Sequence, residues 1–223
     1  MQHKKLKIFL DSANFDEIKS INFVEIDGVT TNPSLAAKNT QNKENRFEEY
    51  KSVLKKITEI IAGSVSAEVI ATDFDSMMAE ALDLRKIANN ITIKLPCTKD
   101  GLRACKELFE NHHIDVNMTL CFSPAQAVLA ALNGAKYISP FVGRLDDIGI
   151  DGLDLIADIK QIYENYQFST KILAASVRNI NHIIEVMKIG VDVITMSPSL
   201  LESIYKHPLT DKGLEIFLKD WNK

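Results

Sequence analysis

Ile91-Thr92-Ile93-Lys94-Leu95-Pro96 places an ammonium inside an apolar, β-branched run that otherwise reads as a buried strand. Strand side chains alternate, so Ile91, Ile93 and Leu95 share one face, while Thr92 and Lys94 share the other. The amine therefore points away from the more apolar layer. Pro96 has no N–H to give a ladder, so pairing is expected to stop there and leave Lys94 at the rim of whatever the sheet encloses. An amine held there can lose its proton and act as a nucleophile.

Seven further short runs surround this one: Leu6 to Leu10, Ile26 to Thr30, Val65 to Ile70, Val116 to Leu120, Tyr137 to Phe141, Lys171 to Ala175 and Val193 to Met196. Between most of them lie segments of helical period, such as Phe47, Tyr50, Leu54, Ile57 and Ile61, or Ile156, Ile159 and Tyr163. Ser123-Pro124 and Ser197-Pro198 read as a capping hydroxyl followed by proline at the first helical position. Asn133-Gly134 and Gly190 read as helix ends, and Thr72, Thr98 and Asp151 as N-caps. Eight strands alternating with helices in 223 residues predict a single-domain (β/α)8 TIM barrel, with an open doubly wound sheet as the structural alternative. No GxGxxG follows Leu10 or Ile26, which favours the barrel. The domain is expected to span 1–223, with a C-terminal helix at about 210–221. Its apolar stripe Leu214, Phe217, Leu218 and Trp221 either packs on the barrel or docks on a neighbouring subunit.

A formal charge of −4, with acids and bases interspersed, offers no basic stripe for nucleic acid or an anionic membrane. Cys97, Cys105 and Cys121 form no CxxC pair, and His3, His112, His113, His182 and His207 have no metal-ligand spacing, so no metal site is expected. The apolar run Leu6 to Leu10 is too short for a signal-peptide core and no later run approaches a membrane span, which makes the cytoplasm the default compartment.

In a barrel the reactive groups belong at the C-terminal ends of the strands. Asp11 follows the first run, Asn32 the second, and Glu68 shares a face with Ser66 in the third. Lys94 ends the fourth; Asn117 and Thr119 project together from the fifth, and Ser139 and Phe141 from the sixth. Arg144 follows soon after, and Ser176 and Arg178 follow the seventh. Singly each has a bland reading: Asp11 as a helix cap, Asn32 before Pro33 as a turn, and Arg144 or Arg178 as surface ion pairs. Independent structural roles, however, do not account for polar residues at corresponding ends of seven successive strands.

Taken together these segments resemble the small-subunit branch of the transaldolase family, which also contains fructose-6-phosphate aldolases. The likeness is carried by Phe9-Leu10-Asp11-Ser12-Ala13, Gly28-Val29-Thr30-Thr31-Asn32-Pro33-Ser34, Ile93-Lys94-Leu95-Pro96, Asn117-Met118-Thr119-Leu120, Ser139-Pro140-Phe141-Val142-Gly143-Arg144 and Ala174-Ala175-Ser176-Val177-Arg178-Asn179. The resemblance implies that Lys94 forms a Schiff base with a ketose phosphate. It further implies that Asp11 is the acid/base at the C4 hydroxyl, and that Glu68 with Thr119 holds a water for proton transfer. Asn32, Asn117 and Ser139 would bind hydroxyls of the dihydroxyacetone unit, and Arg144, Ser176 and Arg178 the phosphate.

General chemistry agrees. A free lysine has a pKa of about 10.4, so roughly one in a few thousand is neutral at pH 7, and desolvation raises that fraction. The protonated imine is itself an electron sink, so no cofactor is expected. Glu68 and Phe141 resemble the transaldolase pattern, whereas the aldolases of this branch resemble it with Gln and Tyr. The expected activity is therefore transfer of dihydroxyacetone between sugar phosphates. The alternatives are a fructose-6-phosphate aldolase and, from another class, a non-catalytic sugar-phosphate-binding barrel. One departure concerns the end of the chain: relatives it resembles carry a longer tail after the Asp220-Trp221 region that contributes to packing in ring-shaped assemblies, and stopping at Lys223 leaves the oligomeric state open, with a homo-oligomer as one reading.

Overall fold

The computed structural model describes residues 6–39 and 45–223; His3 lies outside them. The elements follow in the order β1 (Lys7–Asp11), α1 (Phe15–Ser20), β2 (Gly28–Thr30), α2 (Pro33–Asn39), α3 (Arg46–Ile60), β3 (Ser64–Glu68), α4 (Phe74–Arg85), β4 (Ile91–Pro96), α5 (Lys99–His112) and β5 (Val116–Cys121). They continue with α6 (Pro124–Leu132), β6 (Tyr137–Pro140), α7 (Val142–Asp146), α8 (Gly152–Asn165), β7 (Lys171–Ala174), α9 (Ile180–Ile189), β8 (Val193–Met196), α10 (Pro198–Ser203) and α11 (Pro208–Trp221). All strands are parallel, and β8 pairs with β1, closing the barrel in simple sequential order. The eight runs read as strands are the eight staves.

Alternation sorts the side chains as the sequence predicts. Ile91, Ile93 and Leu95 face outward into the large core shared with the helices, alongside Leu10, Val29, Val65, Met118 and Ile138. The inner layer is separate: Phe9, Tyr137, Leu173 and Val193 fill the barrel below the polar groups. Phe9 and Tyr137 meet edge to face, ring centroids 5.9 Å apart. Gly28 makes this possible, because a Cβ there would stand 2.5 Å from the Phe9 ring. These aromatic and aliphatic side chains plug the barrel and separate the cavity at the C-terminal ends of the strands from the one at their N-terminal ends, lined by Lys7, Ser64, Thr92, Tyr137 and Lys171.

Pro96 is the last residue of β4, as expected; it stands opposite Thr119, and a single further backbone bond, from Cys97 N to the Thr119 carbonyl at 2.9 Å, follows beyond the strand. Two expectations change. Thr72 is not the cap of α4. That role falls to Asp73, whose carboxylate accepts from Ser76 N at 3.0 Å. The terminal helix forms as expected but buries none of its residues: Leu214, Phe217, Leu218 and Trp221 are all exposed, so the stripe does not pack on its own barrel. Thr98, Ser123, Asp151 and Ser197 cap their helices, and Gly190 ends α9 in the left-handed region. No helix of the described residues is long and apolar enough to cross a membrane, and none of the three cysteines is bridged.

Candidate active site

A cavity of about 250 Å³ opens at the C-terminal mouth of the barrel, lined by Asp11, Asn32, Lys94, Ser139, Phe141, Arg144, Ser176 and Arg178 among others. Eight of the eleven residues singled out from the sequence thus meet in one place. The other three, Glu68, Asn117 and Thr119, do not line this cavity.

Lys94 is the floor. Its side chain is 5% exposed; Nζ lies 2.9 Å from Glu68 Oε2 and donates to the Thr31 carbonyl at 3.0 Å. The strand register makes the pair inevitable, because β3 and β4 set Glu68 directly opposite Lys94. One step further round, Lys94 stands opposite Asn117. Asn117 is fully buried: its amide donates to Ser66 Oγ at 3.1 Å and its carbonyl oxygen accepts from Ser139 Oγ at 2.6 Å. It therefore braces Ser139 from behind. The Thr119 hydroxyl is buried without a hydrogen-bond partner among the described residues, an arrangement that suits a bridging water.

Asp11 sits across the mouth. Thr30 Oγ1 donates to Asp11 Oδ1 at 2.7 Å and lies 2.7 Å from Thr195 Oγ1, so two buried threonines fix the carboxylate. A second cavity, of about 440 Å³, opens on Asp11 from the side of α1 and α10. Asn32 justifies both of its readings: Oδ1 accepts from Leu35 N at 2.9 Å, capping α2, while the residue lines the site.

The two arginines stand on the opposite rim. Arg144 lies over the Phe141 ring at 5.2 Å, and Arg178 pairs with Asp147 through both terminal nitrogens, Nη2 to Oδ2 at 2.6 Å. Between them Ser176 adopts the left-handed region, φ 57°, at a cost of about 1–3 kcal/mol for a residue with a Cβ. Gly143 N–H donates to the Ser176 carbonyl at 3.0 Å, which keeps the two loops together.

Sequence reasoning missed the supporting groups. Tyr50, read as one of the apolar positions of α3, is wholly buried with its hydroxyl 2.5 Å from Thr31 Oγ1 and accepting from Glu68 N at 3.0 Å. Burial pushes this phenol well above its ordinary range, so it stays protonated. Nothing in the spacing of Tyr50, Leu54 and Ile57 separates a phenol that braces a carboxylate from one that fills a core. Thr30 and Thr195 carried a weak signal, as polar residues on the inward face of apolar strands.

Residues 8–223 match the family described as Transaldolase/Fructose-6-phosphate aldolase. The chain belongs to this family. It is 54% identical over 219 residues to a probable transaldolase of Brucella anthropi, covering 98% of this chain and 97% of the relative. A probable transaldolase of Rhizobium meliloti is 53% identical over the same share of each chain. Among solved structures, thiamine phosphate pyrophosphorylase from Pyrococcus furiosus superposes with a TM-score of 0.60 over 90% of this chain and 94% of that one. At 14% identity that likeness speaks for the barrel alone. The family's transaldolase members and its barrel are thus matched along nearly the whole chain, and the chain is an enzyme of carbohydrate metabolism.

Proposed function

We propose that this enzyme is a transaldolase that carries a dihydroxyacetone unit between sugar phosphates on Lys94, in the non-oxidative pentose phosphate pathway. The donors are sedoheptulose 7-phosphate and fructose 6-phosphate, and the acceptors glyceraldehyde 3-phosphate and erythrose 4-phosphate. The observation that carries the reading is the buried Lys94–Glu68 pair at the foot of a polar cavity with two arginines on its rim.

The chemistry follows from the placement. Glu68 is close enough to take the ammonium proton, freeing the lone pair to add to the ketone carbon. Loss of water from the adduct leaves a protonated imine. Asp11, held by Thr30, takes the proton from the C4 hydroxyl as the bond between C3 and C4 breaks, and the imine accepts the electron pair as an enamine. The aldose departs with its phosphate, and a second aldose adds by the reverse steps. Asn32 and Ser139 meet the hydroxyls of the retained fragment, with Asn117 supporting Ser139; Arg144, Ser176 and Arg178 take the phosphate, whose binding energy positions the reacting carbon. Glu68, with Thr119 and a water between them, controls proton delivery to the enamine. The enzyme works in the cytoplasm, as a homo-oligomer in which a second copy covers the exposed stripe of α11.

Borohydride reduction in the presence of fructose 6-phosphate tests this directly. Peptide mass spectrometry is expected to find a reduced three-carbon adduct on Lys94, and Lys94→Ala to lose both adduct and turnover. Adduct formation elsewhere, or turnover in Lys94→Ala, contradicts the assignment. Release of free dihydroxyacetone without an acceptor, at the rate of transfer, would instead favour the aldolase alternative.

A further inference from the structure

We infer that Asp147 is a positioning residue that presets Arg178 for the substrate phosphate, an inference that rests on the phosphate role proposed for Arg178. Arg178 follows β7 in a loop and its side chain is 47% exposed. A long cation so placed visits many rotamers, and ordering them on binding costs affinity. Here the ordering is done in advance. The Asp147 carboxylate accepts from both terminal nitrogens of the guanidinium, which fixes its plane as well as its position. The stem runs across Gly143, where a Cβ would stand 2.6 Å from Arg178 Nε and 2.7 Å from Cδ. Any other residue at position 143 would push the guanidinium aside.

Asp147 is itself held. Its neighbour Asp146 places Oδ2 3.3 Å from His182 Nε2 of α9, and Oδ1 accepts from Gly152 N at the start of α8. Val142 N–H and Gly143 N–H donate to the Ala175 and Ser176 carbonyls, both at 3.0 Å. The end of α7 is thereby tied to α8, α9 and the loop after β7. The counterion is part of the frame.

Orientation, and not competition with substrate, is what the placement favours. Arg178 lines the cavity but Asp147 does not. Each terminal nitrogen keeps a second hydrogen and Nε a fifth, so donors remain for phosphate. The guanidinium beside Asp147 holds its carboxyl below the usual carboxylate range, so the clamp stays ionised at neutral pH. Arg144 is laid on the Phe141 ring, and its charge also acts on the Asp147 carboxyl, though less than that of Arg178.

The test is steady-state kinetics of wild type, Asp147→Ala, Asp147→Asn and Arg178→Ala with fructose 6-phosphate and with unphosphorylated fructose, and with inorganic phosphate as inhibitor. Asp147→Ala is expected to raise KM for fructose 6-phosphate about tenfold and weaken phosphate inhibition by a similar factor, with kcat within about twofold. Unphosphorylated fructose should be handled as by wild type. Asp147→Asn, which keeps one acceptor, should fall between. If Arg178→Ala loses the preference for phosphorylated sugar while both Asp147 variants keep it, the positioning role is overturned and the phosphate role stands. A fall in KM in Asp147→Ala would make the carboxylate a competitor and overturn the inference equally. Should Arg178→Ala keep the preference, the phosphate assignment itself fails.

Discussion

At the scale of single residues, the site is a set of pairs created by register. Lys94 meets Glu68 because β3 and β4 align them, and Asp11 meets Thr30 because β1 and β2 do the same. Each pair then depends on a less conspicuous brace. Tyr50 serves Glu68 by accepting its backbone N–H and reaching Thr31, whose carbonyl in turn receives Lys94 Nζ. Tyr50→Phe removes the hydroxyl and leaves the part-buried Glu68 N–H without this acceptor, a loss of about 1–3 kcal/mol. The expected outcome is a lower urea midpoint together with a fall in kcat of about tenfold, as both ends of the Lys94–Glu68 pair lose their alignment. Unchanged kcat in a destabilised variant would mean that Tyr50 acts on the core alone.

At the scale of elements, helix starts decide how the loops above the barrel are laid out. Asp73 bonds to the first turn of α4 and Thr72 does not. Asp73→Ala is expected to lower the melting temperature by about 2–4 °C, and Thr72→Ala to leave it unchanged within error in thermal unfolding. Both residue types cap helices well, so composition could not choose between adjacent candidates; only the path of the chain out of β3 does. Asn32 makes the same point from the other direction, since its turn-forming role and its place in the cavity are two uses of one amide. Pro96 is the contrary case: its missing donor was legible in the sequence, and β4 ends on it.

At the scale of the whole molecule, α11 stands apart from the rest. Its apolar residues recur at 214, 217, 218 and 221, one face of a helix, yet Phe217 is 72% and Trp221 87% exposed. A face of this kind is ordinarily covered. Light scattering of wild type is expected to give a multiple of the 25.0 kDa chain mass, and Phe217→Glu with Trp221→Glu to shift it towards a single chain while circular dichroism is retained. A monomeric wild type would remove the homo-oligomer from the proposal.

The strand-and-helix alternation, the inward side of each strand and the residues at the strand ends were set by the sequence alone, because side-chain period and turn chemistry are local. Lys94 could be singled out before any neighbour was known, since an ammonium in an apolar strand is anomalous wherever the strand lies. Its partners could not. Glu68 comes to it from the neighbouring strand and Thr31 from the end of β2, with Tyr50 of α3 bracing both, and Asp147 comes to Arg178 across two loops; such contacts join residues tens of positions apart. Pairing of adjacent strands was what brought them within hydrogen-bond range, because parallel register fixes which residues stand opposite each other and sequence distance does not.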